Sequence, residues 1–308
     1  MENPQNIEVI SDDIRQSDEW AENMKMYGWD FIRTPGGINV GFLHTKLGAF
    51  VKIQRPMLLD KKDLEEVEEL CKRNHALFIK IETSYGQNID TLVNAGYVSS
   101  ASIMSPASTI YIDLKLSKES LWNNLSKSAK YSIKRAQRED VTTKFYTRPD
   151  GEILKQFYGL YKQTGIKKKY GIKSFDDITK RTRTFGDKSY LVGVYDKQGE
   201  LVGAKYYLGY KENVWYVFGG TSDKGRIKSK AGYELMWQSV LYFKNQDYKI
   251  LDLDGIFDER FPTYLDWWGG FSHFKERFGG QIVQFPVPYV KYLHPLMKLM
   301  SKFTPFNV

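Results

Sequence analysis

The sequence predicts an α/β (α+β) protein built from two tandem units of similar design. Helix signals and short apolar strand runs alternate in one cycle before residue 110, and a second cycle with a similar order follows it. With 308 residues, 42% of them apolar and 15% aromatic, the chain can bury two ordinary cores and is not composed like a disordered one. No run of about 18 apolar residues occurs, so no membrane-spanning helix is expected.

In the first cycle Ser17 is a helix cap, with Trp20 and Met24 on one side of the helix that follows. Strands are predicted over 38–43 and 50–54. Asp60 caps a helix through Glu69 whose apolar stripe is Leu64, Val67 and Leu70. An apolar strand over 76–81 ends at Glu82, a helix over 90–94 stops at Ala95-Gly96, and Asp113 and Leu114 close this third on a strand.

Ser117 caps the second cycle, and Leu121, Trp122, Leu125, Ala129, Ile133 and Ala136 recur at helical spacing. A strand over 141–146, a helix over 153–165, a basic loop and a helix from Ser174 come next. Strands over 190–195, 201–209 and 214–218 follow, the first two joined by a turn from Asp196 to Gly199. A long helix over 230–245 leads into a strand over 250–253. Residues 289–303 read as a basic amphipathic helix. Its apolar stripe of Leu293, Leu296, Met297, Met300 and Phe303, beside Lys291, Lys298 and Lys302, packs on the first unit or docks at a membrane interface.

A single cysteine, Cys71, cannot form an internal disulfide, and its helical setting reads as a structural thiol. His44, His75, His273 and His294 are scattered without metal-ligand spacing, so no metal is expected. The N-terminal stretch MENPQNIEVISDDIRQ is polar and acidic and lacks the apolar core of a signal peptide, which predicts a cytoplasmic protein.

Charge is distributed unevenly. Residues 115–183 hold 18 basic and 7 acidic side chains, a net of +11, against +8 for the whole chain. The remainder is therefore net acidic, and the basic character belongs to one region. Within it Lys127, Lys130, Lys134 and Arg138 share one helical face, and Lys167, Lys168, Lys169, Tyr170 and Lys173 add to the same region. Such a face is either merely solvated or binds phosphates without reading base sequence.

Three segments carry a more specific signal. LWNNLSKSAKYSIKRAQREDV (121–141) resembles the basic helix that opens the second domain of the Fem family (FemABX) of aminoacyl-tRNA-dependent peptidoglycan bridge peptidyltransferases. WYVFGGTS (215–222), the helix KAGYELMWQSV and LDLDGI (251–256) resemble that family's strand, helix and Asp-Gly strand end. GGFSHFKERFGG (269–280) resembles its Phe-Lys motif. The order and spacing of the three match as well. The resemblance implies two acetyltransferase-like (GNAT) domains with a cleft between them, 1–110 plus 287–308 and 111–286, the last segment crossing back to complete the first. The interval from Gly165 to Tyr190 is too short for the helical coiled-coil arm of many relatives, which makes this an armless member.

The resemblance further implies transfer of an amino acid from aminoacyl-tRNA to a stem-peptide amine of a peptidoglycan precursor, either UDP-MurNAc-pentapeptide or lipid II. Peripheral contact with the inner face of the membrane is expected for a lipid-linked acceptor. An ester is already activated, so the reaction needs no cofactor, metal or covalent nucleophile. It needs alignment of two substrates and stabilisation of an oxyanion. Lys275, with Phe274 beside it, matches the family's Phe-Lys position and is the candidate cation; a surface lysine paired with Glu276 or Asp258 is the alternative. Glu82, at a strand end, is the candidate acceptor of the amine's proton. Lys25 and Lys173 align with the precursor's diphosphate contacts, Lys173 standing where relatives carry Arg and lacking its bidentate fork. Phe218 and the aromatic group Tyr264, Trp267 and Trp268 are candidate cleft residues, and Lys127, Lys130, Lys134 and Arg138 are candidate tRNA contacts. Asp252 and Asp254 read as mainly structural.

Two other readings compete. An acyl-CoA-dependent N-acyltransferase would hold a pyrophosphate on glycine-rich backbone at a helix start, of which GRIKSKAGYEL (225–235) has a faint version. A non-catalytic RNA- or membrane-surface-binding protein would use the basic region and the C-terminal helix alone.

Overall fold

The computed structural model describes residues 10–262 and 269–300. The chain divides into two compact units. The described residues of Val9–Ala107, Asp258–Phe261 and Gln284–Val308 form the first, and those of Ser108–Phe257 and Pro262–Val283 form the second.

In the first unit Ser17 caps α1 (Asp18–Lys25), its hydroxyl accepting the Trp20 N–H at 3.0 Å. Strands β1 (Asp30–Arg33), β2 (Asn39–Thr45) and β3 (Gly48–Gln54) form an antiparallel meander. A capping box of Asp60 and Asp63 starts α2 (Lys61–Arg73), which buries Leu64, Val67 and Cys71 and returns the chain to β4 (Ala76–Glu82), parallel to β3. Burial pushes the Cys71 thiol up to about 12, which makes it inert. Helix α3 (Ile89–Asn94) and strand β5 (Val98–Ser99) follow.

The second unit repeats the plan. After β6 (Ser108–Asp113) come α4 (Lys118–Asn124), α5 (Lys127–Arg138), β7 (Thr142–Thr147), α6 (Gly151–Lys168) and α7 (Phe175–Phe185). Strands β8 (Ser189–Tyr195), β9 (Leu201–Tyr210) and β10 (Asn213–Thr221) extend β7 into an antiparallel meander. Helix α8 (Ala231–Asn245) then leads to β11 (Ile250–Asp252), parallel to β10. Helix α9 (Gly269–Glu276) and β12 (Gln281–Gln284) finish a seven-stranded sheet of order β12-β6-β11-β10-β9-β8-β7.

The chain ends by rejoining the first unit. Strand β13 (Tyr289–Tyr292) inserts between β4 and β5, antiparallel to both, and completes a sheet of order β1-β2-β3-β4-β13-β5. The short α10 (Pro295–Met300) follows it among the described residues. The basic helix expected over 289–303 is thus a strand and a short helix. Successive residues serve opposite faces: Tyr289 packs on one core cluster, and Val290, which is buried, and Tyr292 pack on another. Leu293 packs on the core of the first unit, and Met297 packs with Leu77, Phe78 and Val290. Phe303 and the side chains of Leu296 and Met300 lie outside the described residues.

The helical pattern that begins at Ser117 is two helices. Leu125 is extended, and Ser126 caps α5 by accepting the Ala129 N–H at 3.1 Å. The interval from Gly165 to Tyr190 holds the end of α6 and the eleven-residue α7, which buries Ile178, Arg181, Thr182 and Phe185 in its own unit and does not project as an arm. No helix among the described residues is long and apolar enough to cross a membrane.

Candidate active site

The second unit collects the chemistry where α9 meets the strand end after β11. Asp252 closes β11, and its Oδ1 accepts from Thr109 Oγ1 and, at 2.7 Å, from the Asp254 N–H. This aspartate turn holds Asp254 in a left-handed conformation (φ 56°) and presents the carbonyls of Asp254 and Gly255 toward α9. Lys275 answers them: its Nζ donates to Gly255 O at 2.7 Å and to Asp254 O at 3.2 Å. Ser272, one turn earlier, accepts the Phe257 N–H at 2.7 Å, so α9 and the loop are tied at two points.

The far end of α9 is fixed by the closing glycines of the Phe-Lys motif. Gly279 and Gly280 both have positive φ (73° and 89°), and a Cβ would meet Asn124 O at 2.7 Å and Tyr111 O at 2.5 Å respectively. Arg277 O accepts the Ser126 N–H at 3.0 Å, so the break between α4 and α5 docks on the chain that follows α9. The motif therefore positions both Lys275 and the start of the basic helix.

Lys275 is buried at 8% exposure, with its Nζ 5.5 Å from the Tyr216 ring centroid. Burial lowers its pKa to about 8, while Asp254 and Asp252 oppose the shift. It is not a surface lysine paired with Glu276 or Asp258: Glu276 lies 3.3 Å from His273 Nδ1, and Asp258 forms an ion pair with Arg260 at 2.7 Å. Phe274 packs edge-on against Tyr233 and Phe278, each centroid 5.1 Å away, and so anchors α9.

Sequence reasoning missed Lys205 and Tyr216. Lys205 stands on β9, 6% exposed, its Nζ 4.0 Å from the Tyr216 centroid and 4.9 Å from that of Phe274. Burial, joined by the charge of Lys275, lowers its pKa to about 7. A signal was present in LVGAKYYLGY, one lysine inside an otherwise uncharged strand.

Phe218 does not join this group. The β9–β10 register slips by one residue between Tyr216 and Phe218, a bulge at Val217 that turns the two rings to opposite faces of the sheet. Tyr216 faces Tyr207 and Lys205, while Phe218 lies against Tyr161 (5.2 Å), Tyr206 (6.1 Å) and the Arg181 guanidinium (5.3 Å). Lys173 borders the same aromatic cluster, since its backbone N–H donates to Tyr161 Oη at 3.1 Å. These two precursor candidates are therefore neighbours. Tyr264, Trp267 and Trp268 lie outside the described residues.

On α5 the residues Lys127, Lys134 and Arg138 are exposed, Lys130 is half-buried, and Ala129, Ser132, Ile133 and Ala136 face inward. Lys130 Nζ is held by Asn123 O at 3.1 Å.

In the first unit Glu82 ends β4 and is buried at 1% exposure. Its Oε1 accepts the N–H groups of Met104 and of Ser105, the latter at 2.8 Å, while its Oε2 has no hydrogen-bond partner among the described residues. Lys52 and Lys80, opposite each other on β3 and β4, share its sheet face; burial lowers both to about 8, with Glu82 opposing. Lys25 is exposed at the end of α1, its Nζ 2.6 Å from Glu22.

A family model described as the FemAB family matches residues 40–196, half of the chain. The chain belongs to the FemAB family. Members of that family are transferases. Among solved structures the chain is similar to that of FemX, with a TM-score of 0.80 at 14% identity over 96% of each chain. It is also similar to the C-terminal domain of a putative lysylphosphatidylglycerol synthetase from Agrobacterium fabrum (TM-score 0.63, 12% identity, 96% of this chain and 95% of that one). L-PGS from Bacillus licheniformis is a further likeness (TM-score 0.60, 13% identity, 97% and 98%). At such identities the likeness is one of fold. The repeated sheet plan agrees with the two α/β units of similar design that the sequence predicts. No curated protein matches the sequence.

Proposed function

We propose that this FemAB protein is an aminoacyltransferase that moves an amino acid from aminoacyl-tRNA to the stem-peptide amine of a peptidoglycan precursor. The observation that carries the reading is the buried Lys275 ammonium, aimed by two backbone carbonyls and a tyrosine ring rather than by a carboxylate. A fixed cation in an apolar setting is suited to a charge that appears only as a tetrahedral intermediate forms, because it needs no reorganisation at that moment. Nothing in this role requires a metal or a covalent enzyme intermediate. The exposed face of α5, tied to the α9 segment through Ser126 and Arg277, is suited to the phosphates of the tRNA. Lys25, Lys173 and Phe218 are the candidate precursor contacts, and the unpartnered Oε2 of Glu82 is a candidate seat for an ammonium group.

The test is a transfer assay that offers a panel of charged tRNAs with soluble precursor, lipid-linked precursor, phosphatidylglycerol or acyl-CoA plus an amine. Transfer to a precursor amine, lost in Lys275→Ala, supports the reading. Transfer only to phosphatidylglycerol or only from acyl-CoA replaces it. Salt-sensitive tRNA or vesicle binding without transfer makes the protein a binding module.

A further inference from the structure

The proposed reaction leaves one proton to place. A nitrogen that has bonded to an ester carbonyl carries a proton it must lose before the amide is formed. Lys275 is poorly placed to take it, since its Nζ already donates to Asp254 O and Gly255 O and the nearby Asp252 and Asp254 favour its charged form. Lys205 differs. Its titratable neighbours are Tyr216 of β10 and Lys275 of α9, with Asp252 and Asp254 beyond Lys275, and no carboxylate pairs with it among the described residues. Two amines thus lean on one ring, and their surroundings separate them: one keeps acidic company, the other has aromatic rings and a like charge.

We propose that Lys205 is the base of the transfer step, accepting the proton of the acceptor amine as that nitrogen bonds to the ester carbonyl, while Lys275 remains the ammonium that faces the oxyanion. This inference rests on the aminoacyl-ester reading above. The nitrogen lone pair forms the new C–N bond, and the ester C–O pair departs with the ribose oxygen. The proton held by Lys205 passes to that oxygen, which restores the neutral amine, so no co-reactant is consumed. The lowering of Lys205 to about 7 by burial and by Lys275 suits this duty, because a base acts best when its pKa lies near the working pH.

Lys205→Arg and Lys205→Met decide the matter, assayed for single-turnover transfer from pH 5.5 to 9.5 alongside thermal unfolding. Arginine keeps the cation over the rings but does not deprotonate, so an anchoring role would tolerate it and a base would not. The expected result is a bell for the unaltered chain, with limbs near pH 7 and pH 8, and a fall of about a hundredfold or more in both variants with the acid limb gone. Transfer by Lys205→Arg within about threefold of the unaltered chain, or an unchanged acid limb, overturns the inference alone. Absence of transfer by the unaltered chain overturns the aminoacyl reading and this inference with it. If the methionine variant does not fold, the arginine variant decides by itself.

Discussion

Lys205 and Lys275 reach the same tyrosine from two different elements: their Nζ atoms lie 4.0 Å and 5.5 Å from the centroid of Tyr216. Two buried amines on one ring are costly to keep charged together, so the arrangement is sensitive to pH and to the loss of either partner.

Lys275→Met is expected to separate chemistry from folding. The variant leaves Asp254 O and Gly255 O without their donor but also removes a buried charge, so unfolding shifts by no more than about 2 kcal/mol. Transfer falls by about 10²–10³-fold, the usual consequence of losing one oxyanion donor. Thermal unfolding and single-turnover transfer, measured on one preparation, check both halves; a rate near that of the unaltered chain would remove Lys275 from the chemistry.

Stability should rise as the pH goes from about 7.5 to 9. The folded values of Lys205 and Lys275 are about 7 and 8, below the ordinary 10.5, so in this window the unfolded chain binds more protons than the folded one. The burial penalty is complete below the folded values and is relieved as the pH rises through them. Each lysine contributes a slope of up to about 1.4 kcal/mol per pH unit. Above about pH 9 to 10 the buried Cys71 and the buried tyrosines, whose values are raised, reverse the trend. Denaturant unfolding across the window measures the slope, to which Lys52 and Lys80 add, and Lys205→Met should lower it by one lysine's share; a stability independent of pH from 7 to 9 would contradict these assignments.

Gly280→Ala should destabilise the protein by about 2–4 kcal/mol, since the new methyl must enter a left-handed backbone position and collide with Tyr111 O. Gly270→Ala, within α9, meets nothing within 4 Å among the described residues and should be neutral or mildly stabilising. The pair, compared by calorimetry, distinguishes packing at the end of the motif from a general intolerance of α9.

Reversing charge on α5 with Lys127→Glu and Lys134→Glu should weaken tRNA binding and reduce its dependence on salt by about one unit of slope per lost phosphate contact. Both side chains are exposed, and the inward face of Ala129, Ile133 and Ala136 is untouched, so the melting temperature should hold. Binding titrations at several salt concentrations check this; unchanged affinity would return the face to ordinary solvation.

Much of the fold was legible because local chemistry and tertiary structure agree. Ser17, Asp60 and Ser117 cap helices as their sequences suggest, a helix starts at Ser174 as expected, and the turn from Asp196 to Gly199 joins β8 to β9. The failures have physical causes. Ser126 interrupts an apolar period that runs on through it, because its own N–H is claimed by Arg277 O, a partner far along the chain. Residues 289–292 sit within a helical stripe, yet the open edges of β4 and β5 take them as a strand. In the second unit the Phe-Lys pair and the aspartate turn stand where motif and strand end put them, and in the first Glu82 ends β4 as its pattern suggests. Lys205 stands out as the one lysine of an uncharged strand, but its face could not be read, since β9 is buried on both faces and offers no alternation to mark which side a residue serves. Nor could the separation of Phe218 from Tyr216, which one extra residue in β10 produces.

The insertion of β13 between β4 and β5 bears on the order of folding. On the ribosome the first unit is made first, but its sheet keeps a gap at that place until residues 289–292 have emerged, after the whole intervening domain. For tens of seconds the unpaired edges of β4 and β5 face whatever strand is at hand, and the late arrival of one short segment closes them.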